Sequence, residues 1–147
     1  MLSEAEYEYA TRAGTTTARF WGDTTEQQCK FANGADRRLH AIFPDFKSVD
    51  CDDGFGNTAP DKKFRPNAFG LYGMLGNAFE WIEDCWQNNY NGAPTDGSPH
   101  EEAGCKLRGE RGGAWFAGPN PIRSGNRARN TPTARNNDNS FRVARDL

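Results

Sequence analysis

The sequence has no run of 18 apolar residues, the length that a helix needs to cross a bilayer, so we expect no membrane span. It also lacks a signal peptide, because its first six residues, MLSEAE, are acidic where such a peptide is basic. These two absences leave the location of the protein open. A role on a surface or outside the cell would require another segment or a partner for export.

Histidine is scarce, and the cysteines lack zinc-type spacing. The chain has 2 His and 4 Cys, and the cysteines form no CxxC pair, so we expect no zinc site. The cysteines fall into two local pairs, Cys29 with Cys51 and Cys85 with Cys105, and this is the disulfide pairing to test first. Four free thiols in a reducing compartment are the alternative.

Apolar residues make up only 35% of the chain, and the mean hydropathy is −0.90. The chain nevertheless carries 4 Trp, 10 Phe and 4 Tyr, whereas disordered chains are poor in such aromatics. We therefore expect one folded domain over residues 1–147. The 16 Gly and 8 Pro predict many turns and few long helices.

Charge is distributed unevenly along the chain. Residues 108–147 hold eight Arg, no Lys and three acidic residues, a balance of +5, which leaves −7 for residues 1–107. A nucleic-acid binder would be basic overall and would mix Lys with Arg, so a nucleic-acid partner is not expected. We interpret the arginines as forks that bind carboxylates and backbone carbonyls.

The first helix is predicted over residues 3–13. Ser3 followed by Glu6 matches the S-x-x-E capping box that begins many helices. The apolar residues expected on one face are Ala5, Tyr9 and Ala10.

The rest of the chain is predicted to be rich in loops. Residues 22–67 have only short apolar runs and would need a disulfide or a bound cation to hold them. Residues 68–86 are the most apolar segment, and three glycines within them predict turns and short strands. We expect a strand in residues 106–116, a polar loop in residues 117–140 and a last strand in residues 141–144.

Four motifs follow one another: LSEAEYEYA at residues 2–10, NAFGLY and GNAFEW within residues 67–81, RGGAW at residues 111–115 and SFR at residues 140–142. In this order they resemble the formylglycine-generating enzyme (sulfatase-modifying factor) family. The resemblance implies an α+β fold, the loop-rich C-type lectin fold of the formylglycine-generating-enzyme type, with small twisted antiparallel sheets and few short helices. Because the chain begins inside the first motif, we expect the N-terminal part of the full family domain to be absent.

The aromatic residues divide into two groups. Phe79, Trp81 and Trp86 belong to the main apolar segment and are expected in the core. Trp115 and Phe116 follow two glycines and lead into a polar stretch, so exposure in a pocket and burial are equal alternatives.

The resemblance also implies two structural calcium sites. The residues that match the first site are Asn33, Gly34, Asp53 and Phe55, and those that match the second are Gly73, Gly76, Ala78 and Glu80. Calcium takes six to eight oxygen ligands, many of them backbone carbonyls, with one or two carboxylates, here from Asp53 and Glu80. Many relatives have Asn or Asp where this chain has Gly73, so the second site lacks a side-chain ligand. The alternative is that the two carboxylates cap turns or pair with arginine.

Enzymes of the family oxidise a substrate cysteine with copper that two cysteine thiolates hold. The matching positions here are Ala117 and approximately Ile122, which cannot bind copper, and no cysteine follows Cys105. We therefore expect no copper and no catalytic activity.

Asparagine and arginine dominate residues 114–140, with six Asn on a framework of Arg. This pattern resembles the variable proteins of diversity-generating retroelements, in which a C-terminal segment is rewritten at adenines to vary a ligand-binding face. The face predicted on that basis comprises Trp115, Phe116, Ala117, Gly118, Asn120, Ile122, Asn126, Ala128, Asn130, Ala134, Asn136, Asn137, Asp138 and Asn139.

The predicted function is that of a non-catalytic ligand-binding protein with a variable surface at residues 114–140. Its partner would be an unknown protein or glycan on a cell or particle. Ordinary members of the family carry a similar Asn- and Arg-rich segment, so a fixed binding or structural paralogue is one alternative. A sulfatase-modifying-type oxidase is another.

Overall fold

The structure, a computed structural model, describes residues 1–145. Its helices are α1 (Glu4–Arg12), α2 (Gln28–Phe31) and α3 (Arg37–Ile42). The last two are short, with four and six residues, and lie within the loop-rich first half. No helix among these 145 residues is long and apolar enough to cross a membrane.

Four short strands form one mixed sheet in the order β3-β2-β1-β4. They are β1 (Phe79–Cys85), β2 (Arg108–Arg111), β3 (Arg127–Asn130) and β4 (Asn139–Phe141). Strand β2 is antiparallel to both β1 and β3, whereas β4 runs parallel to β1. The predicted α+β class with few short helices is confirmed, and one strand pair departs from the expected antiparallel arrangement.

Helix α1 begins with the predicted capping box. The Ser3 hydroxyl accepts from the Glu6 N–H at 3.1 Å, and the Glu6 carboxylate accepts from the Ser3 N–H at 2.8 Å. The predicted face is wrong, because Tyr9 is 69% exposed and the helix instead buries Glu4, Tyr7 and Thr11. Of the three apolar residues expected on one face, Ala5 and Tyr9 are exposed, whereas Ala10 is half-buried and packs against the cluster of Tyr7, Met74 and Ile82.

A buried ion network explains why a glutamate lies on the inner face of α1. Arg111 of β2 is 0% exposed and donates to Glu4 at 2.7 Å and also to Glu8. Arg127 of β3 donates to the other oxygen of Glu4 at 2.8 Å. Charge pairing therefore joins α1 to two strands that follow it by about a hundred residues.

Two disulfides secure the loops, as the local pairing of cysteines predicted. Cys29 is bonded to Cys51, and Cys85 is bonded to Cys105. The first bond joins α2 to the loop after α3. It lies within residues 22–67, the irregular stretch that was predicted to need a disulfide or a bound cation. The second joins the end of β1 to the loop before β2.

The strand predictions hold in part. Turns followed by β1 in residues 68–86, and β2 in residues 106–116, are confirmed. The prediction of an uninterrupted loop over residues 117–140 is wrong, since β3 lies within it, and the last strand begins at Asn139 rather than at Phe141.

The hydrophobic core is divided into two small clusters. Tyr7, Met74 and Ile82 pack between α1 and the sheet. The other cluster consists of Ala32, Leu75, Ala117 and Ile122. The predicted core residues Phe79, Trp81 and Trp86 are only half-buried, so this prediction is wrong.

Replacing Arg111 with methionine should cost on the order of 3 kcal/mol of unfolding free energy, because the buried Glu4 and the half-buried Glu8 each lose one of their two arginine partners. Chemical denaturation measures this loss. The matched control is Arg123→Met, since Arg123 is exposed and makes no ion pair within residues 1–145. Equal stability of the two variants would contradict the role given to Arg111.

Candidate functional site

The two faces of the sheet have different surroundings. Helix α1 covers the inner face, toward which Ile82, Arg111 and Arg127 point. No helix of the described chain packs against the opposite face, which we call the outer face. Because no described helix covers it, this face is the candidate contact surface.

Strand register defines the members of the outer face. Glu110 lies opposite Ala128 on one side and Trp81 on the other, and Trp81 lies opposite Phe141. Directly opposed residues share a face, so these four side chains form one row. The neighbouring rows contain Arg108 with Asn130, and Phe79 with Asn139. The outer face thus combines amides, aromatic rings and one carboxylate.

Glu110 is the carboxylate at the centre of this row. It is 4% exposed and accepts a hydrogen bond from the side-chain amide of Asn139, and it makes no ion pair within residues 1–145. Burial raises the pKa of Glu110 to about 7, and the nearby charge of Asp138 adds to the increase. Glu110 is not among the predicted site residues, although its position as an acid between Gly109 and Arg111 in an arginine-rich strand was a signal.

The structure separates the predicted ligand-binding residues into four groups. Those on the outer face or beside its strands are Asn126, Ala128, Asn130, Asp138 and Asn139. Those on surface loops are Asn120, Ala134, Asn136 and Asn137. Those in or beside an aromatic patch are Trp115, Phe116 and Gly118, and those in the core are Ala117 and Ile122.

Ala117 and Ile122 do not belong to a ligand-binding face. They are 6% and 0% exposed and pack with Ala32 and Leu75. Ile122 also fills the space beside Gly34, where an added Cβ would lie 2.1 Å from its terminal methyl group. Their prediction as contact residues is wrong, because hydrophobic burial holds both side chains inside.

A row of aromatic rings, the aromatic patch, consists of Phe43, Phe46, Phe116 and Trp115. Adjacent ring centroids along this series lie 5.7, 6.4 and 5.3 Å apart. Phe43 and Phe46 are 46% and 42% exposed. Both were missed as candidates, although the apolar run Ala41-Ile42-Phe43 in a polar segment was visible in the sequence.

Gly118 lies against the backbone beside this patch. A Cβ at Gly118 would be 2.8 Å from the carbonyl oxygen of Lys47, closer than real side chains approach backbone. The position therefore does not accept a larger residue without a backbone shift, which argues against Gly118 as a variable position.

The residues that match the first calcium site lie close together. Asp53 is 8% exposed, and its two carboxylate oxygens accept from the N–H groups of Gly34 at 3.2 Å and Phe55 at 2.9 Å. The side-chain oxygen of Asn33 is buried and has no hydrogen-bond partner. Burial raises the pKa of Asp53 to about 6, with a contribution from Asp36.

The Asp53 carboxylate, which has no ion-pair partner within the described part of the chain, and the Asn33 side-chain oxygen, which has no hydrogen-bond partner there, fit a calcium ion, because calcium prefers carboxylate and amide oxygens as ligands. No group of three or more Asp, Glu, His or Cys side chains in residues 1–145 is placed to hold a metal. A cation here would therefore complete its coordination with backbone or side-chain carbonyl oxygens.

The residues that match the second site line one hollow of about 290 Å³. They are Gly73, Gly76, Ala78 and Glu80. Both carboxylate oxygens of Glu80 already accept from Arg142, at 2.9 and 2.8 Å, and Arg142 also donates to the Tyr72 carbonyl. The charge that would attract calcium is thus balanced by arginine, so the first site fits a cation better than the second.

Comparison with known proteins decides the family. Residues 1–147 match the sulfatase-modifying factor enzyme 1-like domain over their whole length. The chain belongs to this family. Formylglycine-generating enzyme from Streptomyces coelicolor is 32% identical over 152 residues, which cover 98% of this chain and 46% of that protein. The chain thus spans about half the length of this relative of the sulfatase-modifying factor family.

Two solved structures resemble the fold. PvdO from Pseudomonas aeruginosa has a TM-score of 0.79 and 38% identity, covering 96% of this chain and 50% of that one. Treponema denticola variable protein 1 has a TM-score of 0.73 and 26% identity, covering 96% and 45%. The family and fold inferred from the motifs are confirmed, and a variable protein is among the structural neighbours.

Glu110 should make stability fall as pH rises from about 4.5 to about 7. In that window the unfolded chain has released the proton that the folded chain retains, so rising pH favours unfolding. Glu110→Gln should remove this fall, on the order of 1–3 kcal/mol, as measured by denaturation at several pH values. The half-exposed Glu83→Gln should keep the wild-type profile. An unchanged profile in Glu110→Gln would contradict the assignment.

Proposed function

We propose that this chain is a non-catalytic ligand-binding protein whose contact surface is the outer face of the sheet with the adjoining loops of residues 115–139. The proposal goes beyond family membership, because family membership by itself includes proteins named as enzymes. The sheet geometry, the chemistry of the outer face and the lack of copper ligands support it, and the sheet geometry carries the most weight.

The alternation of side chains along β3 is the observation that carries the proposal. Arg127 points inward, binds Glu4 and lies between the rings of Trp86 and Tyr90, with its guanidinium carbon 4.5 and 4.4 Å from the ring centroids. Ala128 belongs to the opposite face, beside Glu110. Successive strand residues face opposite sides, so outer residues can change while the inner arginine keeps the strand attached to α1.

The second support is the chemistry of the outer face. Amides, aromatic rings and small residues on a rigid framework are the groups that antibody-type binding surfaces use for adaptable contacts. Asn130 and Asn139 supply amides, and Trp81 and Phe141 supply aromatic surface, with Phe141 69% exposed. The likeness to Treponema denticola variable protein 1 agrees with a face whose residues vary.

The third support concerns catalysis. The positions that correspond to the copper-binding cysteines hold Ala117 and Ile122, whose hydrocarbon side chains are packed in the core. All four cysteines of the chain are used in the two disulfides, so no thiolate pair is left for copper. The residues present therefore do not fit copper, and no oxidation step is derived for them.

We propose a protein or glycan outside the reducing cytosol as the ligand. Disulfides persist in oxidising compartments, and this chain has two. The acidic centre of the outer face at Glu110, together with the net charge of −2, disfavours a nucleic acid.

We also propose that calcium binds at Asp53 as a structural ion. Asp53 and Asp36 are both buried, and neither has an ion-pair partner among the residues described. A cation would compensate this buried negative charge and would use the free amide oxygen of Asn33. The ion would stabilise the loop that the Cys29–Cys51 disulfide already secures.

Sequencing this gene across its source population tests the variable face. Substitutions should concentrate at codons 128 and 130 and in the exposed loops. Codon 139 should vary less, because the Asn139 amide donates to the buried Glu110 carboxylate. Codons 111 and 127 should stay constant, since their arginines hold the sheet to α1.

Codon 127 is the matched control for codon 128, because the two are adjacent and face opposite sides. Equal variation at both would overturn the outer face as the varied surface. Variation that is absent, or even along the chain, would support a fixed binding paralogue instead.

Calcium should raise the melting temperature of EDTA-treated protein, because an ion bound only by the folded state stabilises it by about 2.7 kcal/mol at 100 times its Kd. Asp53→Asn should abolish this response. The control is Asp52→Asn, since the neighbouring carboxylate is exposed and pairs with Arg38 at 3.0 Å. If calcium does not change the melting temperature of the wild-type protein, the proposed calcium site is wrong.

A further inference from the structure

A cavity of about 390 Å³ opens on the inner side of the sheet, between α1 and the loop of residues 86–100. Its volume lies in the range of small-molecule binding sites, roughly 300–1,000 Å³. Arg127 lines this cavity, whereas its neighbour Ala128 belongs to the outer face. The cavity is therefore separate from the proposed variable surface.

The charged groups around the cavity are already paired with one another. Glu4 binds Arg111 and Arg127, and Glu8 binds Arg111 and Arg12, the last at 2.9 Å. The carboxylates of Glu4 and Glu8 are therefore each balanced by arginine. The pairs leave little net charge to attract an ionic ligand.

Asp84, the remaining carboxylate of the cavity wall, is held by backbone groups. Its two oxygens accept from the N–H of Glu4 at 2.7 Å and from the N–H of His100 at 2.9 Å. Its hydrogen bonds orient it toward the protein rather than toward a ligand. The cavity thus favours an uncharged molecule.

Two exposed tyrosines line this cavity. Tyr9 is 69% and Tyr90 is 56% exposed, so both rings offer apolar surface to a ligand. Tyr90 is held in place, because its hydroxyl donates to Glu4 at 3.2 Å and its ring packs on the guanidinium of Arg127. A fixed aromatic surface binds a ligand at low cost in conformational entropy.

Neutral polar side chains complete the wall. Asn89, Asn91 and Gln87 line the cavity with amides, which both donate and accept hydrogen bonds. Such groups suit a ligand that carries several hydroxyls. A molecule with hydroxyls at its edge, an apolar C–H surface and no charge has the chemistry of a neutral sugar.

We propose that this cavity binds one unit of a neutral saccharide. The C–H surface of the sugar ring packs against Tyr9 and Tyr90, and its hydroxyls bond to the amides of Asn89 and Asn91. The inference does not rest on the proposed variable face, since the two surfaces lie on opposite sides of the sheet.

The test uses methyl glycosides of neutral hexoses and of N-acetylhexosamines as probes, with glucosamine and a sialoside as charged comparisons. Binding is measured by ligand-observed NMR and calorimetry up to about 10 mM, roughly ten times the Kd of a weak millimolar site. At least one neutral glycoside should bind saturably, and more tightly than either charged probe. No saturable binding, or preference for a charged probe, overturns the proposal.

Two variants locate the binding. Tyr9→Ala and Asn91→Ala should each weaken it about tenfold or more, which corresponds to about 1.4 kcal/mol. Both residues are exposed, so both variants should fold, and their melting curves, measured alongside, should match the wild type. Ile42→Ala is the control, because it removes an exposed apolar side chain that does not line the cavity, and it should leave the Kd unchanged. Loss of binding in the control, or wild-type affinity in both cavity variants, overturns the proposal.

Discussion

The buried guanidinium of Arg111 is the interaction on which the rest of the structure depends. It lies between Glu4 and Glu8 of α1 and donates also to the Ser124 carbonyl at 2.7 Å. A buried cation is tolerated only when carboxylates and carbonyls surround it, so α1 and the Ser124 segment are held against β2. The same pairing neutralises the glutamates of the inner cavity, which is why that cavity suits an uncharged ligand.

The alternation of side chains along β2 and β3 places the residues that attach the strands to α1 on one face and the residues available for ligand contact on the other. Arg111 and Arg127 face inward and bind α1, while Glu110 and Ala128 face outward. The inner side chains attach the strands to α1 through charge pairing, and the outer side chains take no part in that attachment. Changes on the outer face therefore leave the attachment intact, which is the physical condition for a surface that varies.

Local patterns predicted the parts of the fold that depend on local chemistry. The capping box of Ser3 and the pairing of near cysteines are examples, since both partners lie close in sequence. The buried face of α1 and the strand β3 were missed for one shared reason. Apolar periodicity treats Glu4 and Arg127 as surface residues, whereas the fold buries them against partners that are distant in sequence. The aromatic patch was missed likewise, because Phe46 and Phe116 meet only in the folded chain.

The low hydropathy of the chain and its many aromatic residues follow from the same principle. Positions that a typical domain fills with hydrocarbon are filled here by ion pairs, by the buried caps of Asp36 and Asp53, and by disulfides. The core then needs few large apolar residues, and its second cluster is built largely from alanine, leucine and isoleucine. Aromatic rings such as Phe141 and Tyr90 are left for the surface, where they line the outer face and the inner cavity. A scaffold held by polar cross-links can therefore expose rings for recognition without weakening its interior.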